Sequence, residues 1–107
     1  MHLEWKKEKD REAVRALAQK NPVTERRMAK IAAAKDFLDL QHPANGRAHF
    51  LKDEYAGYFA IDLESKTRPM RLIGRPIGNF KKDGEQYLKE TITEIEIVKI
   101  EKDYHKH

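Results

Sequence analysis

Residues 47–76, RAHFLKDEYAGYFAIDLESKTRPMRLIGRP, decide the reading of this chain. They divide into three short strands, Arg47 to Lys52, Gly57 to Leu63 and Met70 to Arg75, joined by Asp53 to Ala56 and Glu64 to Arg68. Phe59, Ile61 and Leu63 alternate on one face of the second strand, and Met70 and Leu72 oppose Arg71, Ile73 and Arg75 in the third. Short turns between consecutive strands make an antiparallel meander. Its cations, with His49, suit a phosphate-binding surface.

On the N-terminal side the pattern changes to helical. His42-Pro43-Ala44-Asn45-Gly46 marks the break. Before it, Thr24 is a candidate N-cap, and Met28, Ile31, Ala32, Ala34 and Leu38 follow at helical spacing with Phe37 beside them. Arg26, Arg27, Lys30 and Lys35 fill the other side, as a solvated face would. An earlier helix is expected from Asp10 as cap, with Glu12 in its first turn and Val14, Leu17 and Ala18 inward. Asn21-Pro22 ends it, because a residue before proline is pushed out of helical geometry. Met1 to Lys9 reads either as a short edge strand or as an extension of the helix.

On the C-terminal side, Pro76 to Lys89 carries Gly78-Asn79 and Asp83-Gly84 and is expected to be a long exposed hairpin loop with Lys81 and Lys82 on it. Thr91 to Ile100 is the most β-branched part of the chain. Its phase changes, Ile95 and Ile97 sharing one parity and Val98 and Ile100 the other, which calls for a bulge or burial on both faces. The expected fold is therefore α+β: a helical hairpin on one face of an antiparallel sheet of four to five strands, the other face free and basic. At 107 residues this is a single domain over residues 1–107.

A net charge of +4 favours an anionic partner without demanding one. The absence of cysteine excludes disulfides, thiolate metal sites and a cysteine nucleophile. No apolar run approaches the ~20 residues of a membrane span, and MHLEWKKEKD lacks the apolar core of a secretory signal, so a cytoplasmic protein is expected. His2, His42 and His107 show no ligand spacing, so no metal site and no cofactor is expected.

The titratable and cationic groups fit chemistry on RNA, which carries its own nucleophile. Cleavage needs a base for the 2′-hydroxyl, cations for developing charge and an acid for the 5′ oxygen. Imidazole is the side chain whose reference pKa lies near neutrality, and His49 and His105 are the candidates for these proton transfers. Arg71 and Arg75 can grip phosphate bidentately and Lys52 can act as a point charge, while Tyr104 can stack on a base or bond a phosphate. Each has a plainer explanation. Spacing alone reads His49 as a partly buried strand histidine, Lys52, Arg68 and Arg75 as exposed strand-end charges, and Asp103 to His105 as part of a frayed tail.

The order of elements, together with HFLKDEYAGYFAIDL, then PMRLIGRP, then a β-branched strand closing on Asp103-Tyr104-His105, resembles the RelE/ParE toxin superfamily, and within it the HigB branch of type II toxin–antitoxin systems. The likeness covers residues 40–105, and the two helices only by pattern. It implies a RelE-like fold and a metal-independent, ribosome-dependent mRNA endoribonuclease. His49, Arg71, Asp103, Tyr104 and His105 would be catalytic, and Lys52, Arg68, Arg75, Lys81 and Lys82 would contact RNA. Partners implied are a cognate antitoxin of helix-turn-helix type, a toxin–antitoxin heterotetramer, the ribosome and mRNA. Lys52 needs a bend at Asp53 or a bulge to share the face of His49. Two other functions compete: a ParE-like toxin that poisons a topoisomerase by binding, and a non-catalytic RNA-binding module. Paired titratable groups favour the nuclease.

Overall fold

The computed structural model describes residues 1–63 and 70–102. Its strands are β1 (His2–Trp5), β2 (His49–Phe50), β3 (Phe59–Leu63), β4 (Met70–Ile77), β5 (Lys82–Asp83), β6 (Gln86–Tyr87) and β7 (Glu94–Lys102); its helices are α1 (Glu8–Lys20), α2 (Pro22–Ala33) and α3 (Phe37–Gln41). Among the described residues β1-β7-β4-β3-β2 form one sheet, antiparallel except that β1 runs parallel to β7, and β5-β6 form a separate small hairpin. The chain is thus α+β, with a mostly antiparallel five-stranded sheet. The N-terminal segment, ambiguous in sequence, is a strand, fixed through Leu3 opposite Ile95 and Trp5 opposite Ile97.

All three helices contribute to one apolar cluster with the sheet. Val14, Ile31, Phe37 and Leu40 meet Phe59, Ile61, Leu63, Leu72, Ile95 and Ile97 there, each almost wholly removed from water. Phe37 packs edge-on to Phe59 and stacks on Phe50, with centroids 5.0 and 4.6 Å apart. Gly74 lies directly across from Phe59, and a Cβ at Gly74 would stand 2.9 Å from that ring.

The phase change in the last strand is a β-bulge. Ile73 pairs with Lys99 but Gly74 pairs with Ile97, so Val98 is the extra residue of β7. The slip returns Ile100, opposite Leu72, to the helix-bearing face. Burial at one end of β7 and at the other is thereby reconciled.

Several sequence expectations are corrected. Glu8 opens α1, with Lys7 at the cap position, so Asp10 lies inside the helix. Asn21 caps α2, its side chain accepting from the Val23 and Thr24 amides, with Pro22 as the first helical residue. Thr24 is instead buried, its hydroxyl without a hydrogen-bond partner. The helix stops at Ala33, and α3 restarts at Phe37 with Asp36 accepting from the Asp39 amide. That new phase buries Phe37 and leaves Leu38 50% exposed. Strand β2 is only His49–Phe50, because Asp53 enters the left-handed region and starts a turn of 3₁₀ helix over Asp53–Tyr55. The 76–89 segment is not a bare loop: β4 continues to Ile77, and β5-β6 fold back so that Tyr87 stacks on Phe50 at 4.8 Å.

Candidate functional site

The helix-free face of the sheet follows from register, since cross-strand neighbours share a face. One row runs His49–Ala60–Ile73–Lys99. The next runs Asp62–Arg71–Glu101, and on the other side Arg75 lies opposite Glu96, which pairs with Glu4. His49 and Arg71 therefore occupy adjacent rows of one face, separated by β3. His49 is exposed rather than partly buried, and its Nδ1 lies 3.2 Å from the Arg47 carbonyl oxygen.

This face is not the basic surface expected. Its arginines have registered opposite glutamates. Arg71 Nε donates to Glu101 Oε1, both side chains about a quarter exposed, and Lys99 Nζ approaches Glu101 Oε2 at 3.5 Å. Arg75 Nε donates to Glu96 Oε1 at 2.8 Å. Burial alone would raise the Glu101 carboxyl, but the Arg71 hydrogen bond and charge, with Lys99 behind them, outweigh it and hold the group below the ordinary glutamate value. The Glu96 hydrogen bond and charge likewise raise Arg75 above its ordinary value. A strand read singly shows the cation but not the carboxylate that lies across from it.

A cleft of about 340 Å³ opens on this face. Ile73 and Val98 line it at the bulge. Tyr55 and Tyr58, from the turn between β2 and β3, line it together with Glu54, Lys6, Lys7 and Lys99. Backbone geometry fixes both sides: the Lys6 amide donates to the Ile97 carbonyl at 2.9 Å, and the Tyr58 amide donates to the Tyr55 carbonyl at 3.1 Å. Lys99 Nζ stands 5.1 Å above the Tyr55 ring. None of these side chains was among the site residues expected from the sequence. The signal was there in Tyr55-x-x-Tyr58 around a glycine, and in Lys6-Lys7 between strand and helix.

The other expected site residues distribute unevenly. The bend that Lys52 requires exists at Asp53, but Lys52 is an exposed side chain outside the cleft lining. Lys81 and Lys82 belong to the hairpin region held against Phe50; Lys82 Nζ covers the Tyr87 ring at 4.6 Å, and the Lys81 amide donates to Thr91 Oγ1. They are not on the helix-free face, because Phe50 pairs with Phe59 on the helix-bearing side. Arg68, Asp103, Tyr104 and His105 lie outside the described residues. The last residue of β7, Lys102, pairs with Met70, next to Arg71. Among the described residues, no cluster of three His, Asp or Glu side chains is placed to hold a metal ion, and no helix is long and apolar enough to cross a membrane. No family model matches the chain, and no curated protein or solved structure gives a significant match to it.

Proposed function

We propose that this chain is an RNA-cleaving toxin of the RelE/ParE superfamily, in its HigB-like branch, acting on mRNA at the ribosome and restrained by a cognate antitoxin. The observation that supports it most is that His49 and Arg71 share the helix-free face in adjacent rows, while β7 ends against Met70 beside Arg71. The order strand, helix, helix, then the meander and a long last strand fits the same reading.

In this reading the 2′-hydroxyl oxygen attacks the adjacent phosphorus. The bond from phosphorus to the 2′ oxygen forms and that to the 5′ oxygen breaks, leaving a cyclic phosphate and a 5′-hydroxyl. One histidine takes the 2′ proton and a second acid supplies the proton gained by the departing oxygen. His49 and His105 are the candidates, with Asp103 orienting a histidine and Tyr104 stacking on a base or bonding the phosphate. Arg71 neutralises charge on the phosphoryl oxygens. Glu101 keeps the Arg71 guanidinium oriented until the phosphate exchanges for the carboxylate.

Controlled expression of the chain in a bacterial host, without its antitoxin, tests the proposal. Growth arrest with new mRNA 5′ ends inside translated regions is expected. Arrest with intact mRNA would transfer the reading to a topoisomerase-binding toxin, and normal growth with intact mRNA would reject both.

A further inference from the structure

We infer that the cleft between Tyr55, Tyr58 and the lysines Lys6, Lys7 and Lys99 is a subsite for one nucleotide of single-stranded RNA, flanking the scissile phosphate. The inference rests on the RNA-cleaving reading above and adds to it a site of different chemistry from the His49–Arg71 pair.

Three lysines and one carboxylate, Glu54, line the cleft; Lys99 also approaches Glu101 at 3.5 Å, which leaves Lys6 and Lys7 as the cations that tip the lining positive on a face whose arginines are paired with glutamates. Two tyrosines accompany them, Tyr55 being 42% exposed. Aromatic rings beside lysines are the combination that holds unpaired nucleotides: the ring stacks on a base, and the cations meet phosphate. An acidic protein segment would use the lysines but gain little from the exposed Tyr55 ring.

Size and placement agree. A volume of about 340 Å³ lies at the small end of ligand clefts, which run from about 300 to 1,000 Å³. The apolar floor, Ile73 and Val98, exists because the bulge adds a residue to β7. Ile73 is 2% exposed although it points away from the core cluster. Lys99 joins the cleft to the proposed catalytic pair, since it stands over the Tyr55 ring and also contacts Glu101, the partner of Arg71. A strand entering along Lys6 and Lys7 would stack a base on Tyr55 or Tyr58 and carry its next phosphate toward Arg71.

The test is binding of a fluorescein-labelled short oligoribonucleotide, its 2′-hydroxyls methylated so that it is bound but not cut, to the full chain by anisotropy. Tyr55→Ala and Tyr58→Ala are each expected to weaken binding about ten-fold, and Tyr55→Phe to restore it. Lys6→Ala with Lys7→Ala should weaken binding and lower the slope of log affinity against log salt by about 1.4, whereas Arg26→Ala, on the solvent face of α2, should change neither. Thermal unfolding of each variant confirms that it folds. Unchanged affinity in both tyrosine variants, no binding by the unmodified chain, or equal competition by poly-glutamate would overturn the subsite. Its failure is separable from that of the nuclease reading, which stands on cleavage of unmethylated mRNA on ribosomes by the unaltered chain.

Discussion

Glu101→Gln isolates the charge network that joins Arg71 to the cleft. The substitution keeps shape and an acceptor oxygen but removes the charge that Arg71 and Lys99 share. With the Arg71 and Glu101 side chains 24% and 27% exposed, water screens the pair substantially, and the expected loss lies near the upper end of surface pairs, about 1 kcal/mol. For a domain of this size that corresponds to a Tm lower by about 4 °C at neutral pH. The pH dependence follows from the lowered carboxyl. The unfolded chain takes up this proton before the folded one does, so the contribution is complete above the ordinary glutamate value of 4.5 and disappears as pH falls through the lower folded value. Urea unfolding of both proteins, at neutral pH and in steps below pH 4.5, measures the gap between them. The gap should close in acid. A gap that is absent at neutral pH, or constant through the acid range, would refute the argument. Neutralising Glu101 also removes a negative charge beside the proposed phosphate path, so RNA affinity should rise about two-fold at low salt.

Two further substitutions probe the packing that positions the site. Thr24→Val replaces a buried hydroxyl that has no hydrogen-bond partner by a methyl of similar volume, and should raise unfolding free energy by about 1 kcal/mol in urea titration; destabilisation would show that the hydroxyl is satisfied. Gly74→Ala places a Cβ 2.9 Å from the Phe59 ring and 3.0 Å from the Glu96 carbonyl oxygen, where backbone cannot yield cheaply. It should cost about 1–3 kcal/mol and disturb the bulge beside Ile73, and a neutral result would refute close packing there.

What was legible in the sequence was local. The meander, the Asn21-Pro22 junction and the phase slip at Val98 each announce themselves within a few residues, because alternation, proline sterics and β-branching act over that range. Long-range geometry was not legible. Pairing of β1 with β7 joins residues almost a chain length apart, and it decides that Lys6 and Lys7 stand beside Val98. Register likewise puts Glu101 across from Arg71 and Glu96 across from Arg75, turning an expected basic face into a mixed one. Thr24 had a good cap residue's chemistry, yet Asn21 with Pro22 after it satisfied the helix start first. Tyr55 looked like a turn residue and Tyr58 like part of the following strand; only the left-handed bend at Asp53 aims both over the sheet.

On the proposed function, the helix-free face cuts RNA through His49 and Arg71. Purified chain, incubated with ribosomes programmed with a defined mRNA and followed by primer extension with analysis of the new ends, tests it most directly. Cuts carrying a 2′,3′-cyclic phosphate and a 5′-hydroxyl are expected, with the rate reduced at least about 100-fold in folded Arg71→Ala and in folded His49→Ala. Undiminished cleavage by both variants, or no cleavage by the unaltered chain on ribosomes, would contradict it.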